Sequence, residues 1–237
     1  MKTKAQVIKE NAKNIRLNGY DNYSNITYIF KRIKELLGIK FEKKNKKKAE
    51  FLTYDEVRKF LKVCEKYQNG GSEYQKKIGL IGEVLLKTGL RNAEECNLKI
   101  EYIDFETHMF RVVEGKGGKD RFGIMPKTLC RVLKMYLGGR EKGYVFLSNR
   151  GNKFSTRTIQ RYIGKLKREA GIEKAITPHS LRHTFATILI RNGVTKEKIK
   201  ELLGHEDIRT TDIYTHLTIA DFEEEVQKVM GRLEEEK

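Results

Sequence analysis

A mainly α fold with one small antiparallel β-sheet is predicted for this 237-residue chain by three observations. Apolar residues recur at three- and four-residue spacing through most of its length. The period drops to two only between residues 102 and 125, where short strand-like runs flank Gly115-Lys116-Gly117-Gly118-Lys119. Pro126 closes that strand region, and helical patterns occupy most of the remaining chain.

Residues 3–17 and 22–37 each read as a helix, the second with Ile26, Ile29, Phe30, Ile33, Leu36 and Leu37 on one face. The stretch 38–50 has no apolar periodicity and carries Lys40, Lys43, Lys44 and Lys46 to Lys48, so a self-repelling, extended linker is expected there. A domain boundary is placed at about residue 49, giving residues 1–48 as a short helical module with its linker and 49–237 as the main domain. Thr53 with Glu56 three positions on forms a capping box, and Val57, Phe60, Leu61 and Cys64 line one side of the helix it starts.

The apolar run 79–86 is helix-compatible and leads into Thr88-Gly89-Leu90-Arg91, where Gly89 turns the chain. Strands are expected at 102–104, 109–114 and 121–125. Further helices are expected at about 127–137, 155–170, 178–192, 195–203 and 218–233. The last carries Ile219, Phe222, Val226, Val229, Met230 and Leu233 on one stripe with acidic residues opposite. Such a stripe needs covering, either by its own domain or by a neighbouring protomer.

Lys and Arg outnumber Asp and Glu by 49 to 32, a formal charge of +17, which points to a polyanionic partner. No apolar run reaches the roughly 20 residues that span a bilayer, and no charged-then-apolar leader opens the chain, so a cytoplasmic location without a membrane role is expected. Cys64, Cys96 and Cys130 lack the paired spacings of zinc or redox motifs and read as buried thiols.

Arg91 and Arg182 each offer a planar fork of donors that matches a phosphate and stays charged at any accessible pH. His179 follows Pro178 at a helix start, three residues before Arg182, where exposed backbone donors also suit an anion. Glu94, three residues after Arg91, reads either as the acidic partner that orients it or as half of an ordinary solvated helix pair. Lys116 sits between two glycines, which let a hairpin tip approach a ligand closely; Lys119 is its rival as an acid for a leaving oxygen. His179 and His183 have i,i+4 spacing, but no third metal ligand stands at convincing spacing, so no metal is expected.

In order, Arg91 within Thr88-Gly89-Leu90-Arg91-Asn92-Ala93-Glu94, Lys116, His179-Ser180-Leu181-Arg182-His183, Leu202-Leu203-Gly204-His205 and Thr211-Asp212-Ile213-Tyr214 resemble the active-site motifs of the tyrosine recombinases, the phage-integrase and Xer family. The likeness runs from about residue 49 to 220. It implies a tyrosine-recombinase catalytic domain at 49–237, preceded by part of a SAM-like core-binding module. Only the last two helices of that module are represented, where the family usually has at least four.

The resemblance also implies roles. Tyr214 is the nucleophile that forms a 3′-phosphotyrosine, Arg91 and Arg182 clamp the phosphate, and His205 hydrogen-bonds it. His179 assists proton movement, and Lys116 is favoured as the general acid. Double-stranded DNA is the expected partner, a homotetramer on two DNA sites linked by C-terminal helix exchange the expected assembly, and no cofactor is implied. A type IB topoisomerase-like nicking-closing enzyme and a catalytically silent DNA-binding protein are the competing functions.

Overall fold

The computed structural model describes residues 2–38, 50–113, 120–148, 150–204 and 223–235. The chain divides into two compact units, Met1–Lys48 and Ala49–Lys237.

In the first unit, α1 (Lys4–Leu17) starts at a Thr3/Gln6 capping box, and Asn22 caps α2 (Tyr23–Leu36) by accepting from the Asn25 N–H. None of the described side chains of these helices is buried. The apolar face expected of the second helix therefore lies open within this unit, with Phe30 55%, Ile33 43% and Leu36 75% exposed. Two helices supply too little partner surface to cover it.

The second unit is organised around α4 (Glu73–Thr88), which is packed by α3 (Tyr54–Gly70), α6 (Lys127–Leu137), α7 (Thr156–Glu169) and α8 (Pro178–Arg191). Leu80, Ile81, Val84 and Leu85 of α4 meet a core that includes Phe60, Leu133, Ile163, Leu166, Phe185 and Leu189, all buried. Each such side chain contributes roughly 1.5–3 kcal/mol by leaving water. The Thr53/Glu56 capping box forms as expected. α4 starts six residues before the apolar run because Ser72 and Gln75 cap a polar first turn.

Between α5 (Asn92–Asn97) and α6 lie three antiparallel strands in the order β1-β2-β3: β1 (Ile103–Asp104), β2 (Met109–Val112) and β3 (Arg121–Ile124). The pairing runs from Met109 opposite Ile124 to Val112 opposite Arg121. Both longer strands are shorter than expected, and an Arg111–Asp120 ion pair closes the base of the hairpin. After α8 come α9 (Lys196–Leu203) and α10 (Glu223–Glu235). Val226, Val229 and Met230 of α10 are buried and the helix packs on α8, so its own domain covers the stripe. Ile219 and Phe222 lie outside the described residues, as does the lysine-rich stretch 39–49.

All three cysteines are buried and unpaired. Burial pushes Cys96 and Cys130 up to about 12, so neither is a thiolate at neutral pH. Among the described residues no helix is long and apolar enough to cross a membrane.

Glu95 of α5 is 1% exposed, and neither carboxyl oxygen has a hydrogen-bond partner among the described residues. Burial raises it well above the usual carboxylate range. The native state therefore holds a proton that the unfolded chain releases near 4.5, so this group costs stability progressively as pH rises above that value. Glu95→Leu is expected to raise Tm at pH 8 by roughly 5 °C, consistent with ~1–3 kcal/mol for an unsatisfied buried group, and by less at pH 5. Melts of both proteins at the two pH values check this; equal shifts would refute the titration.

Candidate active site

The ends of α4, α5, β3 and α9, with α8 and one buried carboxylate, build the site. α4 stops at Gly89, whose φ of +65° is the left-handed conformation that glycine adopts without strain. A Cβ here would also lie 2.6 Å from Phe185 and 2.8 Å from Leu203, so glycine is required twice over. The chain turns through buried Leu90, and Arg91 becomes the residue before α5. Glu94, in the first turn of that helix, reaches back: its Oε2 accepts from the Arg91 backbone N–H at 2.7 Å. Its Oε1 holds Arg91 Nη1 at 2.6 Å.

Arg182 projects from α8, which Thr177 caps and Pro178 pre-shapes at its first position. Its Nη1 donates to the Gly89 carbonyl at 2.7 Å and its Nη2 to the Leu203 carbonyl at 2.5 Å. Glu94 Oε2 lies 3.7 Å from Arg182 Nη1. Residues 91 and 182, far apart in sequence, therefore converge on one carboxylate.

A third guanidinium joins them. Arg121, the first residue of β3, donates through Nη2 to Glu94 Oε2 at 2.6 Å and through Nη1 to the Leu202 carbonyl at 2.7 Å. The C-terminal end of α9 thus presents three consecutive carbonyls to three arginines: Leu202 to Arg121, Leu203 to Arg182 and Gly204 to Arg91, the last at 3.0 Å. A helix C-terminus has unsatisfied carbonyls and partial negative charge, and cations stabilise both.

One carboxylate among three guanidinium groups leaves a net positive, largely buried pit. Burial alone would raise the Glu94 carboxyl, but the Arg121 charge and the bonds from Arg91 outweigh it and hold it below its usual value. Burial, with the Arg121 and Arg91 charges beside it, pushes Arg182 down to about 9, which still leaves it protonated at pH 7. An arriving anion relieves that repulsion. The bonds among the described residues use two of the five N–H donors of Arg91 and two of Arg182. Arg91 is the more open, its side chain 29% exposed against 6% for Arg182.

His179 lies in the first turn of α8 and is exposed, whereas Arg182 one turn on is buried. His183 is also exposed, its ring set edge-on against Phe51 with centroids 5.6 Å apart. Among the described residues no three His, Cys, Asp or Glu side chains cluster as metal ligands would. Lys116, Lys119, His205 and Tyr214 lie outside the described residues. Sequence reasoning missed Arg121, reading it only as the start of a strand. The signal was its register: it shares a strand face with Gly123, opposite Val112 and Phe110, both inward.

A mostly helical domain over one small antiparallel sheet is the fold this chain shares with tyrosine recombinases. The chain belongs to the phage integrase family, whose family model matches residues 50–220. It is 40% identical over 182 residues to tyrosine recombinase XerA of Pyrococcus furiosus, covering 75% of this chain and 60% of that protein. To tyrosine recombinase XerD of Listeria monocytogenes it is 42% identical over 146 residues, covering 57% and 48% respectively. The chain thus spans about three fifths or less of the length of these two relatives.

Among solved structures, XerA recombinase matches with a TM-score of 0.59 at 32% identity, over 91% of this chain and 79% of that one. XerH recombinase in its post-cleavage complex with a palindromic difH substrate matches in fold with a TM-score of 0.60 at 24% identity, over 78% of this chain and 54% of that one.

Proposed function

We propose that this chain is a site-specific DNA recombinase that cuts and rejoins strands through a covalent 3′-phosphotyrosine. The convergence of Arg91 and Arg182 on Glu94 carries this reading. Two planar cations fixed by backbone carbonyls before substrate arrives are preorganised for the charge that develops on the non-bridging oxygens, commonly the largest contribution to catalysis in such sites.

In the proposed reaction the Tyr214 oxygen attacks the phosphorus and its proton passes to His179, the residue that assists proton movement. The phosphorus–O5′ bond breaks, and the departing oxygen takes a proton from Lys116 or Lys119. His179 and His205 assist at the phosphate. The phosphodiester is conserved in the tyrosyl linkage, and the 5′-hydroxyl of a partner strand reverses the step. Two copies on each of two DNA sites would form the working tetramer, which would require α10 to leave its own core, where Val226, Val229 and Met230 are buried, and dock on a neighbour. Residues 1–48 would act as part of a core-binding module on the same DNA. XerA and XerD, both named tyrosine recombinases, support the choice of reaction.

Incubation with a nicked duplex carrying a candidate site, then denaturing electrophoresis, is expected to give a protein–DNA conjugate that maps to Tyr214. No conjugate on any substrate that the protein binds would sink the reading. Recombination between two plasmid-borne sites, as opposed to supercoil relaxation alone, separates a recombinase from a topoisomerase.

With a formal charge of +17, affinity is also expected to fall steeply with salt through counterion release. For about 6–10 neutralised phosphates the loss between 50 and 200 mM salt is about 10³–10⁵-fold. Fluorescence anisotropy across that range measures the slope, and a flat response would contradict phosphate-dominated binding.

A further inference from the structure

We infer that Arg121 is a positioning residue for strand cleavage: it holds Glu94, and through it Arg91, in the orientation that meets the scissile phosphate. This rests on the proposed phosphate role of Arg91 and Arg182. The Arg121 side chain is 6% exposed, and its two Nη groups point inward to Glu94 Oε2 and the Leu202 carbonyl. It therefore acts through its neighbours rather than on DNA.

Its fork joins two parts of the site that are otherwise linked by the Arg91 bond to the Gly204 carbonyl and through Arg182. One is the Arg91–Glu94 unit at the start of α5, where Oε1 is occupied by Arg91 Nη1 and Oε2 is shared by the Arg91 N–H and Arg121. The other is the end of α9, whose next carbonyls fix Arg182 and Arg91. The stem of Arg121 runs against Gly204: a Cβ on that glycine would lie 2.6 Å from Arg121 Cδ, and its φ of +64° independently favours glycine. β3, α5 and α9 are thereby locked at one point. Arg121 also stands two residues after Lys119, so the strand it anchors carries the chain out of the hairpin loop.

Without the fork, the carboxylate of Glu94 loses a buried counter-charge 2.6 Å away, and Arg91 keeps the Gly204 carbonyl but loses the fixed position of its other acceptor. Lysine supplies one compact ammonium and cannot reach both acceptors in a fork's geometry. Misplacement of a catalytic group by an ångström costs about 100-fold in rate. The effect falls on the chemical step, with ground-state DNA affinity retained.

The test is single-turnover conjugate formation by the full chain carrying Arg121→Lys, Arg121→Gln, Glu94→Gln, and Arg121→Lys with Glu94→Gln together. About 100-fold slower cleavage by Arg121→Lys at unchanged DNA affinity is expected. The double variant should be no slower than the slower single one, since both act through one carboxylate. If Arg121→Gln melts below the assay temperature, Arg121→Lys, which keeps charge and stem, carries the result.

A substrate with sulfur at the bridging 5′ position needs no proton on departure; the deficit should persist on it. Recovery there would assign Arg121 to the lysine loop and overturn the inference, as would wild-type rates in Arg121→Lys or multiplicative losses in the double variant. Wild-type protein that forms no conjugate would instead refute the recombinase reading, so the two failures are distinct.

Discussion

Tyr214→Phe is expected to abolish the covalent protein–DNA conjugate and leave DNA affinity intact. The change removes the oxygen of the proposed nucleophile and leaves Arg91 and Arg182, the proposed phosphate contacts, in place. A free phenol has a pKa near ~10 and is a poor nucleophile at neutral pH. The proposed chemistry therefore needs the positive pit that Arg91, Arg121 and Arg182 create, since nearby positive charge favours a phenolate as it favours any anion. Gel shift measures the binding, and denaturing electrophoresis of end-labelled DNA measures the conjugate. A conjugate formed at normal yield by the phenylalanine variant would transfer the nucleophile's role elsewhere.

Arg182→Ala is expected to slow cleavage by about 10²–10³-fold, the usual loss on removing one preorganised donor to a developing oxyanion. It should also lower Tm, because the Gly89 and Leu203 carbonyls lose their donor, at a cost of about 1–3 kcal/mol for each that stays unsatisfied. The two losses separate by assay: DNA cleavage below the melting temperature reports the donor, and the melt reports the carbonyls. Part of the stability loss is offset, since the substitution also removes a buried charge repelled by Arg121 and Arg91. Arg182→Lys keeps that charge but not the fork, and its cleavage rate should stay well below wild type. Wild-type cleavage by either variant at a temperature where it is folded would exclude Arg182 from the clamp.

Much of the fold was legible because its signals are local. Thr53 with Glu56, Pro178 at the head of α8 and Gly89 at the end of α4 each act over one helical turn, and each works as the sequence indicates. The hairpin pairing was legible from strand-like runs around a glycine-rich turn. Strand ends were less so: β2 stops at Val112, two residues earlier than expected, and its end depends on which backbone groups find partners across the sheet. The Glu94 partnership with Arg91 was also legible, being a three-residue contact within one helix start. Arg121 was hidden because an arginine in a short strand has the same spelling whether it faces solvent or a buried carboxylate.

By itself the sequence determined most of the helices, the Thr53, Pro178 and Gly89 signals at their ends, the hairpin, the net positive charge and the identity of two of the arginines. Only the tertiary structure decided that they meet. Residues 91, 121 and 182 come together at one glutamate and three successive carbonyls of α9, contacts made by packing β3, α5, α8 and α9 against the same core. Periodicity reports which face of an element is apolar, whereas convergence depends on how those faces stack. That stacking turns dispersed basic residues into one electropositive pit.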